Sequence, residues 1–183
     1  MQIIKTPLQD CYLLKPTVFS DARGYFYESY NEAHFNTQTG LNVHFVQDNQ
    51  SFSSFGVLRG LHFQQGEHAQ AKLVRVLEGE VLDVAVDLRE GSITYGQHFS
   101  VLLSEENQLQ LFIPRGFAHG FVVLSDRAKF FYKCDNYYNK ASEAGLHYAD
   151  PTLNIDWQVS ANQLLVSEKD AILPFLKELG ETI

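Results

Sequence analysis

Apolar and polar side chains alternate through the middle of the chain with the period of two that marks β-strands. Leu82, Val84, Val86 and Leu88 interleave with Val81, Asp83, Ala85 and Asp87, which predicts a strand over 81–88. Glu78-Gly79 reads as the turn before it, and 72–77 as the other arm of a hairpin. Further strands are expected at 43–47, 98–103, 108–113, 120–124 and 129–134. Helix is scarce. Residues 31–38 predict one short helix, with Asn31 as N-cap and Gly40 just past its end. The stretch 167–179 has helical spacing but carries Pro174, which predicts two short pieces in place of one long helix. Short strands with frequent turn signals, and no repeat or low-complexity linker, predict an all-β, jelly-roll-like barrel with a few short peripheral helices.

Length and composition narrow the function. A chain of 183 residues suits one domain over 1–183 with a sizeable core, 160–183 forming a C-terminal helical segment that packs on the barrel. A formal net charge of −8 argues against a nucleic-acid or membrane surface. It leaves room for a small anion held by a few local arginines. The aromatic share of 13% supplies flat faces for a base or a sugar ring. Cys11 and Cys134 lack the spacing of a metal or redox pair, and a lone disulfide between them stays open. The N-terminus has no basic, apolar leader and no run approaches a membrane span, so a cytoplasmic protein is the default expectation.

Two histidines stand in different company. Pro114-Arg115-Gly116-Phe117-Ala118-His119 resembles the PxGxxH half of the cupin signature, carried by small β-barrels that often bind a metal. Around His62 the metal-binding half is incomplete, because Gln64 stands where a second imidazole is wanted. No metal is therefore expected, and such a pocket works by proton transfer or by plain binding.

Over nearly the whole chain, ordered segments resemble the dTDP-4-dehydrorhamnose 3,5-epimerase family of cupin-like nucleotide-sugar epimerases. They include Asp21-Ala22-Arg23-Gly24-Tyr25-Phe26-Tyr27-Glu28, Gln47-Asp48-Asn49-Gln50-Ser51 and Gly56-Val57-Leu58-Arg59-Gly60-Leu61-His62-Phe63-Gln64. Gln70-Ala71-Lys72, Asp83-Val84-Ala85-Val86-Asp87, Phe131-Tyr132-Lys133, Glu143-Ala144-Gly145 and Ser167-Glu168-Lys169-Asp170 continue the series. The resemblance implies inversion of C3 and C5 in a dTDP-linked 4-keto-6-deoxy sugar, without cofactor, by a homodimer whose N-terminal strand is exchanged. A ketone at C4 acidifies the flanking C–H bonds, so the chemistry asks for a base, an acid on the opposite face, and a positive group at the enolate oxygen.

On this resemblance His62 is the base, and an imidazole's ordinary pKa of about 6.5 suits it. Asp170 orients it, although Ser167-x-x-Asp170 is also close to a helix-capping box, so the two uses compete for one carboxylate. Tyr132 is the acid, sharing strand parity with Phe130 and Cys134, its phenol made more acidic if positive charge lies nearby. Lys72, on the face of Val74 and Val76, serves the C4 oxygen, and burial of its ammonium calls for a partner, with Asp83 as candidate. Arg23 and Arg59 are expected on the diphosphate. Arg59 and His62 have opposite parity, so the assignment needs a bulge at Gly60. Phe26 and Tyr138 are stacking faces for thymine, with amides from Gln47 and Asn49 and their neighbour Asp48 beside them. Glu28, Glu143, Lys169 and His119 complete the implied contacts. The competing readings are a relative inverting one carbon, a ketoisomerase, a metal-dependent cupin oxygenase using His62, His119 and Glu67, or a sugar-binding module without catalysis.

Overall fold

The computed structural model describes residues 1–179, so the last four residues of the expected C-terminal segment, 180–183, lie outside the described residues. In chain order its strands begin with β1 Gln2–Lys5, β2 Tyr12–Lys15, β3 Phe19–Asp21, β4 Gly24–Phe26 and β5 Gln47–Ser54. The central set is β6 Val57–Gln64, β7 Lys72–Glu78, β8 Glu80–Asp87, β9 His98–Ser104, β10 Gln110–Ile113, β11 Phe117–Val123 and β12 Arg127–Cys134. The short β13 Glu143–Gly145 and β14 Leu165–Val166 follow. Helix α1 spans Glu32–Thr39, and α2 spans Leu176–Leu179.

Two sheets carry the fold. The first has the order β1-β2-β10-β7-β12-β5, and the second β13-β6-β11-β8-β9, with β14 pairing in parallel to β6. They face one another as a jelly roll whose ladders do not close into one ring. Between them lies an apolar core of Val74, Val76, Val81, Ala85, Leu111, Phe121 and Phe130, among others. Burying one such side chain stabilises the fold by roughly 1.5–3 kcal/mol.

Each sheet is also covered outside. Phe35 of α1 packs with Leu14, Leu73 and Phe112 on the first sheet. Leu82, Val84 and Val86 of the second pack under Leu146, Leu153, Trp157 and Leu176 from the C-terminal third. Strand β8 is thus buried on both sides, Val81, Asp83 and Ala85 facing in while Leu82 and Val84 meet the outer cover.

The helix termini follow their caps. Asn31 accepts from the His34 N–H at 3.0 Å, and Gly40 closes α1 with a left-handed φ of 75°. Beyond Asp170 the chain makes a 3₁₀ turn at Asp170–Ile172, breaks at Pro174 and resumes as α2. The strand expected at 43–47 does not form as such, because residues 43–46 run as a loop and only Gln47 is strand, the first residue of β5. Here Asn36 stands in for a neighbouring strand, donating to the Val43 carbonyl and accepting from its N–H at 3.0 and 2.9 Å. Both cysteines are buried free thiols, so no disulfide joins them.

Candidate active site

Strand β6 carries His62 and Arg59, and its ladder to β11 explains how both reach one cavity. His119 pairs with His62, but Phe121 pairs with Arg59, so three steps along β6 match two along β11. This is the bulge that the parity of Arg59 required. Gly60 sits in it at φ +124°, and a side chain there would bring Cβ within 2.6 Å of Gly120 Cα. Only glycine satisfies both the backbone angle and this close approach. Leu58 and Leu61 then point into the outer core, while Arg59 and His62 line the cavity between the sheets.

That cavity measures about 570 Å³ and is bordered by Asn49, Arg59, His62, Lys72, His119, Tyr132, Lys169 and Asp170, with Phe121 and Phe130 as apolar wall. A smaller recess of about 110 Å³ shares Asn49, His62, Lys72 and Tyr132 and continues to Gln47, Tyr138 and Glu143. His62 projects from one sheet, and Lys72 and Tyr132 from adjacent strands of the other, Cys134 pairing with Lys72 and Tyr132 with Val74. An imidazole and a phenol thus border one space from opposite walls.

His62 Nε2 lies 2.7 Å from Asp170 Oδ1, and Asp170 Oδ2 accepts from the Gly60 N–H at 3.2 Å. A carboxylate only accepts, so in the neutral ring Nε2 carries the proton and the lone pair is on Nδ1. The contest over Asp170 is resolved by direction. Ser167 Oγ accepts from the Asp170 N–H at 3.1 Å, half of a capping box, while the Asp170 carboxylate turns to His62. Burial alone would raise the pKa of this carboxyl, but the bonds from His62 and Gly60 and the charge of His62 hold it below the ordinary 3.8.

Lys72 and Tyr132 are shaped by burial. It pushes the Lys72 ammonium below its usual range, against the opposing pull of Cys134, Asp83 and Glu143. The expected ion pair with Asp83 is corrected. Asp83 Oδ2 instead meets His119 Nε2 at 2.9 Å, and Lys72 Nζ reaches only the His62 carbonyl, at 3.5 Å. Burial raises the Tyr132 phenol, Cys134 adds to this, and Arg59 opposes it incompletely. The positive neighbour therefore moderates the acid without making it stronger than a free phenol.

The remaining candidates divide into three places. Arg59 Nε donates to Ser53 Oγ at 3.1 Å inside the cavity. Gln47 Nε2 donates to Asn49 Oδ1 at 3.1 Å, and its Oε1 accepts from the Tyr138 N–H. Across the mouth, Lys169 pairs with Glu143 at 2.6 Å, which also accepts from the Tyr138 hydroxyl at 3.0 Å. Asp48 faces the other way, held by Lys133 at 3.0 Å on the outer side of β5. Arg23 and Phe26 lie on the exposed β3–β4 hairpin around a hollow of their own, Phe26 being 71% exposed. Glu28 is exposed beside Asn31. Within one chain these last three do not join the cavity.

Sequence reasoning missed Ser53, which steers Arg59, because a serine in a polar strand carries no signal of its own. Gln64, the substitute for a cupin ligand, is buried and accepts from the Asn139 N–H at 2.9 Å. It fastens the segment that bears Tyr138. Among the described residues no group of three or more His, Cys, Asp or Glu is arranged to hold a metal ion. Glu67 points outward toward His68, away from His62 and His119. Nor is any helix among them long and apolar enough to cross a membrane.

Comparison with known proteins identifies the family. The family model described as dTDP-4-dehydrorhamnose 3,5-epimerase matches residues 5–178. The Escherichia coli (strain K12) protein of that name is 52% identical over 98% of this chain and 96% of its own. The crystal structure of the Elizabethkingia anophelis NUHP1 protein of the same name superposes with a TM-score of 0.95 at 61% identity, covering 97% of each chain. A Legionella pneumophila dTDP-6-deoxy-D-glucose-3,5-epimerase, solved with dTDP-4-keto-L-rhamnose, gives a TM-score of 0.92 at 49% identity, over 96% of this chain and 93% of that one. With its match to the family model over residues 5–178 and these near-full-length relatives, the chain belongs to the dTDP-4-dehydrorhamnose 3,5-epimerase family.

Proposed function

We propose that the chain inverts C3 and C5 of dTDP-4-dehydro-6-deoxy-D-glucose to give dTDP-4-dehydro-L-rhamnose, a step of dTDP-L-rhamnose biosynthesis. One observation carries the reading. An imidazole tied to a buried carboxylate lines one wall of the cavity, while a phenol and an ammonium line the other.

The His62 Nδ1 lone pair takes the proton from C3 or C5. The C–H electrons become the C=C bond of an enolate, and the C4 oxygen takes the negative charge beside the Lys72 ammonium. Asp170 stabilises the imidazolium so formed. Tyr132 then gives its phenolic proton to the same carbon from the opposite face, a favourable transfer because an enolate carbon is a far stronger base than a phenolate. The cycle closes when the imidazolium loses a proton to solvent and the phenolate regains one. A second round inverts the other carbon.

Arg59 and Lys169 are suited to the diphosphate, Lys169 exchanging its Glu143 partner for phosphate oxygens. Gln47, Asn49 and Tyr138 offer amides and a ring face to thymine, with His119 and Glu143 nearer the sugar. The same reading makes the protein a homodimer, in which Arg23 and Phe26 from one hairpin, with Glu28 just after it, serve the neighbour's cavity. Support comes from the unusual exposure of Phe19, Tyr25 and Phe26 on that hairpin. A cytoplasmic setting suits the two unpaired thiols.

The test is product stereochemistry. Incubated with the dTDP-keto-sugar and followed by proton NMR, the protein should give a product inverted at both carbons. Tyr132→Phe should still exchange protons with solvent yet fail to invert C5. Inversion at one carbon by the wild type would make the chain a mono-epimerase, and normal C5 inversion by Tyr132→Phe would remove Tyr132 as the acid.

A further inference from the structure

Arg59 is held differently from most arginines of this chain. Arg23 pairs with Asp21, Arg89 with Asp87 and Asp10, Arg115 with Asp135, and Arg127 with Glu78. No carboxylate among the described residues lies within ion-pair reach of Arg59, and its Nε donates to the neutral Ser53 Oγ at 3.1 Å. A guanidinium paired with a carboxylate spends its charge there. One held by a hydroxyl keeps that charge for a ligand.

The contact is built where the chain crosses from one sheet to the other. Ser53 belongs to β5 of the first sheet and Arg59 to β6 of the second. The turn between them is anchored, the Phe55 N–H donating to the Asp126 carbonyl and the Gly56 N–H to the Val123 carbonyl, each at 3.0 Å. Ser53 is buried, whereas Arg59 is exposed and lines the cavity. With Nε committed to Ser53, the two terminal nitrogens remain as a planar fork with no hydrogen-bond partner among the described residues.

We propose that Ser53 is a positioning residue for anion binding: its hydroxyl holds the Arg59 guanidinium in place before the ligand arrives, leaving the terminal fork for diphosphate oxygens. The proposal rests on the role given to Arg59 above. A free arginine side chain has many rotamers, and fixing them beforehand lowers the entropy lost on binding. Ser53 makes no contact with His62, Lys72 or Tyr132, so its loss weakens binding and leaves proton transfer intact.

The test is a double-mutant cycle read by titration calorimetry with dTDP, on wild type, Ser53→Ala, Arg59→Lys and the double variant. Ser53→Ala should raise the dTDP Kd about tenfold, and the KM for the keto-sugar likewise, with kcat within about twofold of wild type. In the Arg59→Lys background, where no Nε–H is left to hold, the same replacement should change Kd less than about twofold. A Kd for Ser53→Ala that stays within about twofold of wild type overturns the proposal, as does an undiminished tenfold loss in the Arg59→Lys background. Should Ser53→Ala not fold, the ¹H–¹⁵N signal of Arg59 Nε in the wild type decides, identified by its loss in Arg59→Lys. Slow solvent exchange of that proton supports the proposal, and exchange as fast as in free arginine overturns it. The exchange measurement needs no ligand, so it judges Ser53 apart from the epimerase reading, which wild-type protein unable to bind dTDP would itself contradict.

Discussion

Asp170 shows how one side chain can be claimed by two rules. Its sequence context, three residues after Ser167, fits a helix cap, and the hydroxyl of Ser167 does accept from the Asp170 N–H. The carboxylate is nevertheless spent on His62 and Gly60. Asp170→Asn should lower kcat/KM about 100-fold or more, as an amide neither compels the same tautomer nor stabilises the imidazolium. A loss below about threefold in steady-state kinetics would show that His62 does not depend on it. The pH dependence has a definite sign. The Asp170 pKa is depressed in the fold, so its stabilising effect is present above the ordinary 3.8 and is lost as pH falls through the lower folded value. Urea unfolding of the wild type and Asp170→Asn should therefore differ most near neutral pH and converge in acid. Sequence proximity could not have revealed the His62–Asp170 bond, because the two residues are 108 positions apart.

At the level of elements, regular strands were readable and polar ones were not. Phe130, Tyr132 and Cys134 share a face in β12, as parity required, and the phenol lines the cavity with Phe130 beside it. Strand β5 was hidden because Gln47–Ser54 is an edge strand that lines the polar cavity with one face and exposes the other, which leaves almost no apolar alternation. The apparent strand at 43–47 borrowed its pattern from Val43 and Phe45, which pack around α1. Residue-level candidates on β5 were consequently sorted only by the structure, with Asn49 inward and Asp48 outward. The β6 bulge was legible as a requirement through Gly60, though its register was not. Gly60→Ala should be far more harmful than Gly40→Ala, since both have positive φ but only Gly60 meets another backbone. Thermal unfolding should show Gly40→Ala costing about 1 kcal/mol and Gly60→Ala several times that, with activity lost. Equal effects would mean that the Gly60–Gly120 approach does not hold Arg59 and His62 on one face.

For the whole molecule, the jelly roll and the scarcity of helix followed from short alternating strands and turn signals. Sequence alone could not show that both sheets carry outer covers, which is why β8 is apolar on its two faces. The hairpin bearing Arg23 and Phe26 stands apart from the cavity of its own chain. If it serves a neighbour, Arg23→Ala and His62→Ala proteins, each weak alone, should regain activity when mixed, because a hybrid dimer contains one intact site. Mixtures that remain as inactive as their components, despite subunit exchange shown by mass spectrometry, would confine each site to one chain.

Epimerisation in this cavity depends most on His62 removing a carbon-bound proton. Incubation with dTDP-4-dehydro-6-deoxy-D-glucose in deuterated water, followed by mass spectrometry and NMR, measures that event directly. Wild-type protein should place deuterium at C3 and C5, and His62→Ala should place it at neither above the uncatalysed rate. Exchange by His62→Ala as fast as by the wild type would contradict the central claim.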